Sequence, residues 1–113
     1  MIPEITNKIE SILKSFQSKG TVDEDIINQM KALREDFIKI EQPSIVKSIR
    51  LSYEYIQANG SLDGLSYWEE EEIELDDDNT SFEYFINLLR NPENKYNKEE
   101  ILLMNDLMKE ALT

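Results

Sequence analysis

At 113 residues, 40% hydrophobic and with a formal net charge of −12, the chain has the size and apolar content of one domain with a modest core, and it is too apolar for a disordered segment. It has no cysteine and no histidine, which excludes disulfides and thiol chemistry and removes the commonest general base and the usual zinc ligands. No apolar run approaches the roughly eighteen residues that cross a bilayer, and the first residues, MIPEITNKIE, lack a basic stretch followed by an apolar one, so a cytoplasmic protein with no membrane partner is expected.

The first helix is expected from Pro3, whose missing N–H costs nothing in a first turn, to Gly20, a C-terminal stop. Ile5, Ile9, Ile12 and Phe16 mark its inner face, with Leu13 at the edge. A second helix opens on Thr21, with Glu24 completing a capping box. Ile26, Met30, Leu33, Phe37 and Ile40 draw its seam until Gln42-Pro43 breaks it.

A third helix is expected from Pro43 to about Ala58, ending at Asn59-Gly60, with Ile45, Val46, Ile49, Tyr53 and Ile56 in one arc. Ile49, Leu51, Tyr53 and Tyr55 also alternate as a strand would. Helix is the better reading, because no turn signal interrupts Ser44 to Ala58 and Ile45, Val46 and Ile56 have no place in the alternation. Leu51 and Tyr55 then share the opposite face.

The pattern breaks from Ser61 to Asn79. Turns are expected at Ser61-Leu62-Asp63-Gly64 and Asp76-Asp77-Asp78-Asn79, with Glu72-Ile73-Glu74-Leu75 between them as a short strand or a ragged helical turn. A fourth helix starts at Thr80 with Glu83 as a second capping box, buries Phe82, Phe85, Ile86 and Leu89, and closes at Asn91-Pro92. Asn97 is expected to cap the last helix, with Ile101, Met104, Met108 and Leu112 on one side and Leu103 and Leu107, also buried, on the other. The fold expected is all-α: one domain, residues 1–113, a compact bundle of four to five short helices with an acidic loop or minor β element between the third and fourth.

Charge is the most uneven property of the chain. Residues 51–89 hold eleven acids and no base, whereas residues 1–50 balance eight against eight and residues 90–113 have five acids and four bases. Such a block attracts a basic protein and repels nucleic acid and anionic lipid. The same segment carries Tyr53, Tyr55, Tyr67, Trp68 and Tyr84, aromatics of the kind that anchor interfaces. A partner-binding surface is therefore expected from these five residues with Asp63, Glu69, Glu70, Glu71, Glu72, Glu74, Asp76, Asp77 and Asp78. A solvated, charge-repelling loop, with Trp68 pinning it to the core, is the plain alternative.

Other chemistry fits poorly. A calcium loop begun at Asp76 would put Ser81 at its sixth position and Asn87 at its twelfth, where glycine and glutamate are needed. No glycine-rich phosphate loop is present, and the bases are too dispersed to read phosphates. No enzymatic activity, cofactor or metal is expected.

A small acidic helical domain with Tyr53, Tyr55, Tyr67 and Trp68 beside the acids from Glu69 to Asp78 resembles, as a class, the bacterial immunity proteins that neutralise nuclease toxins. The resemblance implies a non-enzymatic inhibitor that docks a basic toxin with an acidic, tyrosine-bearing surface. Leu51-Ser52-Tyr53-Glu54-Tyr55-Ile56 departs from the paired-tyrosine-then-proline motif of the colicin DNase immunity proteins, so no individual residue role is carried over. Two other readings stand beside it: an acidic mimic of nucleic acid of the phage anti-restriction type, and a structural or regulatory subunit that uses an apolar helix face.

Overall fold

The computed structural model describes residues 2–75 and 80–113. Asp76, Asp77 and Asp78 of the expected binding surface, and the turn expected there, lie outside the described residues. The described residues form six helices and no strand: α1 (Pro3–Lys19), α2 (Glu24–Lys39), α3 (Pro43–Asn59), α4 (Tyr67–Glu70), α5 (Ser81–Leu88) and α6 (Lys95–Leu112).

Helices α1, α2 and α3 run up and down. Lys8 pairs with Asp36 at 2.5 Å near one end of the α1–α2 contact and Lys19 with Asp25 at 3.1 Å near the other. Arg34 reaches the Val46 carbonyl and Lys31 lies over the Tyr53 ring across α2–α3. Helix α6 packs on α3, α5 on α1, and the single turn of α4 on α6. Helix α3 is thus wrapped on two sides. That explains why Leu51, Tyr55 and Ser52 are buried as well as Ile45, Ile49 and Ile56, and why its sequence mimics the alternation of a strand. Leu33, Phe37, Ile49 and Phe85 are wholly buried at the centre, with Ile101 beside them.

Helix starts depart from the sequence reading in two places. Asp23, not Thr21, caps α2, accepting from the Ile26 N–H at 3.0 Å. Gly20 is in the left-handed conformation, and Thr21 and Val22 are spent as a connector whose Val22 packs on the core. Asn94, not Asn97, caps α6, accepting from the N–H groups of Tyr96 and Asn97. Leu103 is 44% exposed and Leu107 only half-buried, because α6 lies at the edge of the bundle and buries a single stripe. The cap at Thr80 is as expected, its hydroxyl accepting from the Glu83 N–H at 3.3 Å.

Two helices end on a glutamate where glycine is the ordinary choice. Glu41 has φ 57° and closes α2, with the Glu41 and Gln42 N–H groups bonded back to Ile38 and Phe37. A side chain in that left-handed conformation costs about 1–2 kcal/mol, against which glycine carries a backbone entropy penalty of about 0.5–1 kcal/mol. Glu41→Gly is therefore expected to stabilise the protein by up to about 1 kcal/mol, read as a raised urea midpoint. An unchanged or lowered midpoint would mean that the glutamate side chain itself supports the turn.

Candidate functional site

The acidic segment is built outward from the core. After Gly60 ends α3 in the left-handed conformation, Leu62 and Leu65 turn inward and are buried. Three residues further on Trp68 follows them, and its indole N–H donates to the Leu62 carbonyl at 2.9 Å. Leu62, Leu65 and Trp68 recur every third residue, an apolar spacing that a reading centred on turn residues passes over, although only Trp68 lies in a helix. The Asp63 carboxylate, exposed on the same turn, accepts from the Ser81 hydroxyl at the start of α5.

Tyr67 and Trp68 form the buried side of α4. The Trp68 ring stands edge-on to Tyr67, with centroids 5.2 Å apart, and to Tyr84 of α5, 5.4 Å apart. Both phenols donate to one oxygen, Oε1 of Glu100 on α6, Tyr67 at 2.7 Å. Burial and, next, the hydrogen bond to Glu100 raise both tyrosines, Tyr84 to about 12 and Tyr67 further. At neutral pH they are therefore uncharged donors that tie α4 and α5 to α6. Glu100 was not anticipated from the sequence. Nothing local marks it, since its partners are 16 and 33 residues away.

The outer side of this assembly carries the acids. Glu69, Glu70, Glu71, Glu72 and Glu74 are all exposed. Glu72 is in the left-handed conformation at φ 53°, with its N–H bonded to the Glu69 carbonyl. The Ile73 N–H returns to the Trp68 carbonyl at 2.9 Å, so the turn closes as a Schellman motif with Ile73 set against the core. The chain thus makes one helical turn, Tyr67–Glu70, and a defined cap, and Ile73 to Leu75 follow without forming a strand. Among the described residues no ion pair joins these five glutamates or Asp63 to a base.

The structure therefore gathers Tyr67, Trp68, Tyr84, Asp63 and the glutamates from Glu69 to Glu74 into one region, but in two layers. Tyr67 and Trp68 are inside, 1% and 7% exposed, and hold the acids up from beneath, while Tyr84 is half-buried at the margin. Tyr55 is buried under the Gly64 turn. Tyr53 is elsewhere: it is half-buried on α3 beneath Lys31, whose ammonium lies 5.4 Å from the ring centroid. No protein-family model, curated protein or solved structure matches the chain.

Proposed function

We propose that this protein is a non-enzymatic binding domain whose acidic turn docks a basic protein, in the manner of an immunity-type inhibitor of a nuclease toxin. One observation carries the reading. Five exposed glutamates within the six residues from Glu69 to Glu74 pair with no base among the described residues and stand on a turn seated by Trp68 and the Tyr67–Glu100–Tyr84 contacts. Stacking like charge there raises the free energy of the free protein, and a cationic partner relieves it. With Tyr67 and Trp68 inside, the apolar contribution to such an interface comes from the half-buried Ile73, Leu75 and Tyr84 that border the acids.

The body measures 33 × 31 × 27 Å over the described residues. Five exposed carboxylates gathered on one turn of a nearly isometric body favour a compact docking patch over an elongated mimic of a nucleic-acid backbone.

Steering and anchoring separate in kinetics. Capture from the native host on immobilised protein at low salt supplies the partner, and Glu70→Lys, Glu71→Lys and Glu72→Lys combined test the patch. The triple variant is expected to lower the association rate constant by about tenfold or more at low salt, with a smaller change in dissociation. The wild-type rate should fall as salt shortens the Debye length to about 8 Å at 0.15 M. Rates equal to wild type at low salt would reduce the acidic turn to a solubility device.

A further inference from the structure

A second surface has the opposite character. Between α2 and α3 runs a groove of about 510 Å³ with an apolar floor, Ile38, Pro43 and Val46, rimmed by Arg34, Lys47 and Arg50 and a single acid, Glu41. Ile38 is 44% exposed and so offers an accessible aliphatic surface within the groove. Three bases against one acid line this groove in a chain of net charge −12. The antiparallel pairing of the helices produces the arrangement: Arg34 and Ile38 lie one turn apart on α2, and Val46, Lys47 and Arg50 on the first turns of α3.

The cations are poised to receive a ligand. Arg34 Nε donates to the Val46 carbonyl at 3.3 Å, which orients the guanidinium across the groove and leaves its terminal amino groups to donate. Among the described residues no ion pair engages Arg34 or Lys47. Arg50 pairs with Glu54, at 3.1 Å with both side chains about two-fifths exposed, a contact weak enough to exchange. Oriented guanidinium forks beside an apolar floor suit carboxylates carried on an apolar backbone.

We propose that this groove docks an acidic amphipathic segment of a protein partner, its apolar side chains on Ile38 and Val46 and its carboxylates on Arg34, Lys47 and Arg50. Charge complementarity selects that occupant. A basic segment would meet three cations, and a purely apolar one would cover them without a counter-charge. A second copy, offering its own Glu69–Glu74 turn, would bring a whole body of charge −12 against another, whereas a short segment confines its charge to the groove.

The test is selection from a displayed library of random 12-residue peptides on the wild-type protein at low salt, followed by titration of the enriched peptides. Enriched peptides are expected to be acidic, with apolar residues spaced three and four apart. Ile38→Glu and Lys47→Glu, both at exposed positions and checked for an unchanged melt, should each weaken binding by about tenfold or more. Arg34→Lys, which keeps the charge and loses the fork, should weaken it by a smaller factor, and Glu70→Lys should not weaken it. Enrichment of basic peptides alone would overturn the proposal, as would acidic peptides indifferent to Ile38→Glu. Self-association of the free protein in sedimentation, abolished by Ile38→Glu, would assign the groove to a second copy and overturn it equally.

Discussion

Trp68→Ala is expected to destabilise the protein by about 3–5 kcal/mol, the range for emptying a large aromatic from a packed core. Three losses combine. The ring is 7% exposed and stands edge-on to both Tyr67 and Tyr84, contacts that add to simple burial. Its indole N–H is the bond that ties the Leu62 carbonyl to α4. The Ile73 N–H, which closes the acidic turn, is bonded to the Trp68 backbone carbonyl, so the cavity would open beneath the glutamates themselves. Urea unfolding measures the loss directly. A cost below 1 kcal/mol would place the indole outside the core, where it could serve as a partner-facing anchor. Trp68→Phe, which keeps an aromatic ring and removes the donor, is expected to fall between wild type and alanine.

Glu100→Ala is expected to cost about 2–3 kcal/mol, because Tyr67 is buried and would keep a phenol without an acceptor, the asymmetric penalty of breaking one side of a hydrogen bond. Glu100→Gln retains an acceptor without the charge and should cost less. The same carboxylate governs alkaline behaviour. Both phenols have folded values raised above the ordinary 10.0, by burial first and by Glu100 next. Their protonated forms are thus favoured in the folded state. The stability they contribute is complete below about pH 10 and is lost as pH rises through about 12 for Tyr84 and higher still for Tyr67. Phenolate absorbance against pH is the check: Glu100→Ala should move the late-titrating tyrosines to lower pH without bringing them fully to 10, since burial persists. Tyr67→Phe combined with Tyr84→Phe should flatten the alkaline fall in stability. An identical titration in Glu100→Ala would show that the carboxylate does not touch the phenols.

The helical class and most of the core were legible in the sequence, because helix faces repeat locally. Ile26, Met30, Leu33 and Phe37 are four and three residues apart and all are fully buried. Gly20 and Gly60 mark helix ends by conformations that non-glycine residues rarely adopt. N-terminal boundaries were less legible. Thr21 and Asn97 have side chains able to cap, yet Asp23 and Asn94 do so, since which of several adjacent polar residues becomes the cap depends on where the preceding connector is pinned.

Burial on the second face of a helix depends on neighbours, which periodicity does not contain. Leu51 and Tyr55 of α3 are covered because α2 and α6 lie on both sides, whereas Leu103 of α6, with an equally apolar pattern, remains in water.

The same division runs through the candidate site. The sequence by itself determined that the acids are concentrated, since eleven of them between residues 51 and 89 without a base is a property of composition along the chain. Only the tertiary structure decided their arrangement: Trp68 and Tyr67 turn inward, Glu69 to Glu74 turn outward, and Glu100 arrives from α6 to bind two phenols at once. It also decided that Arg34, Ile38, Val46 and Arg50 share a groove, although each is an ordinary residue in an electrically balanced stretch. Charge density is a sum over neighbours in sequence and can be read from the chain, but the partner of a side chain is a neighbour in space, and that is set by which helices pack together.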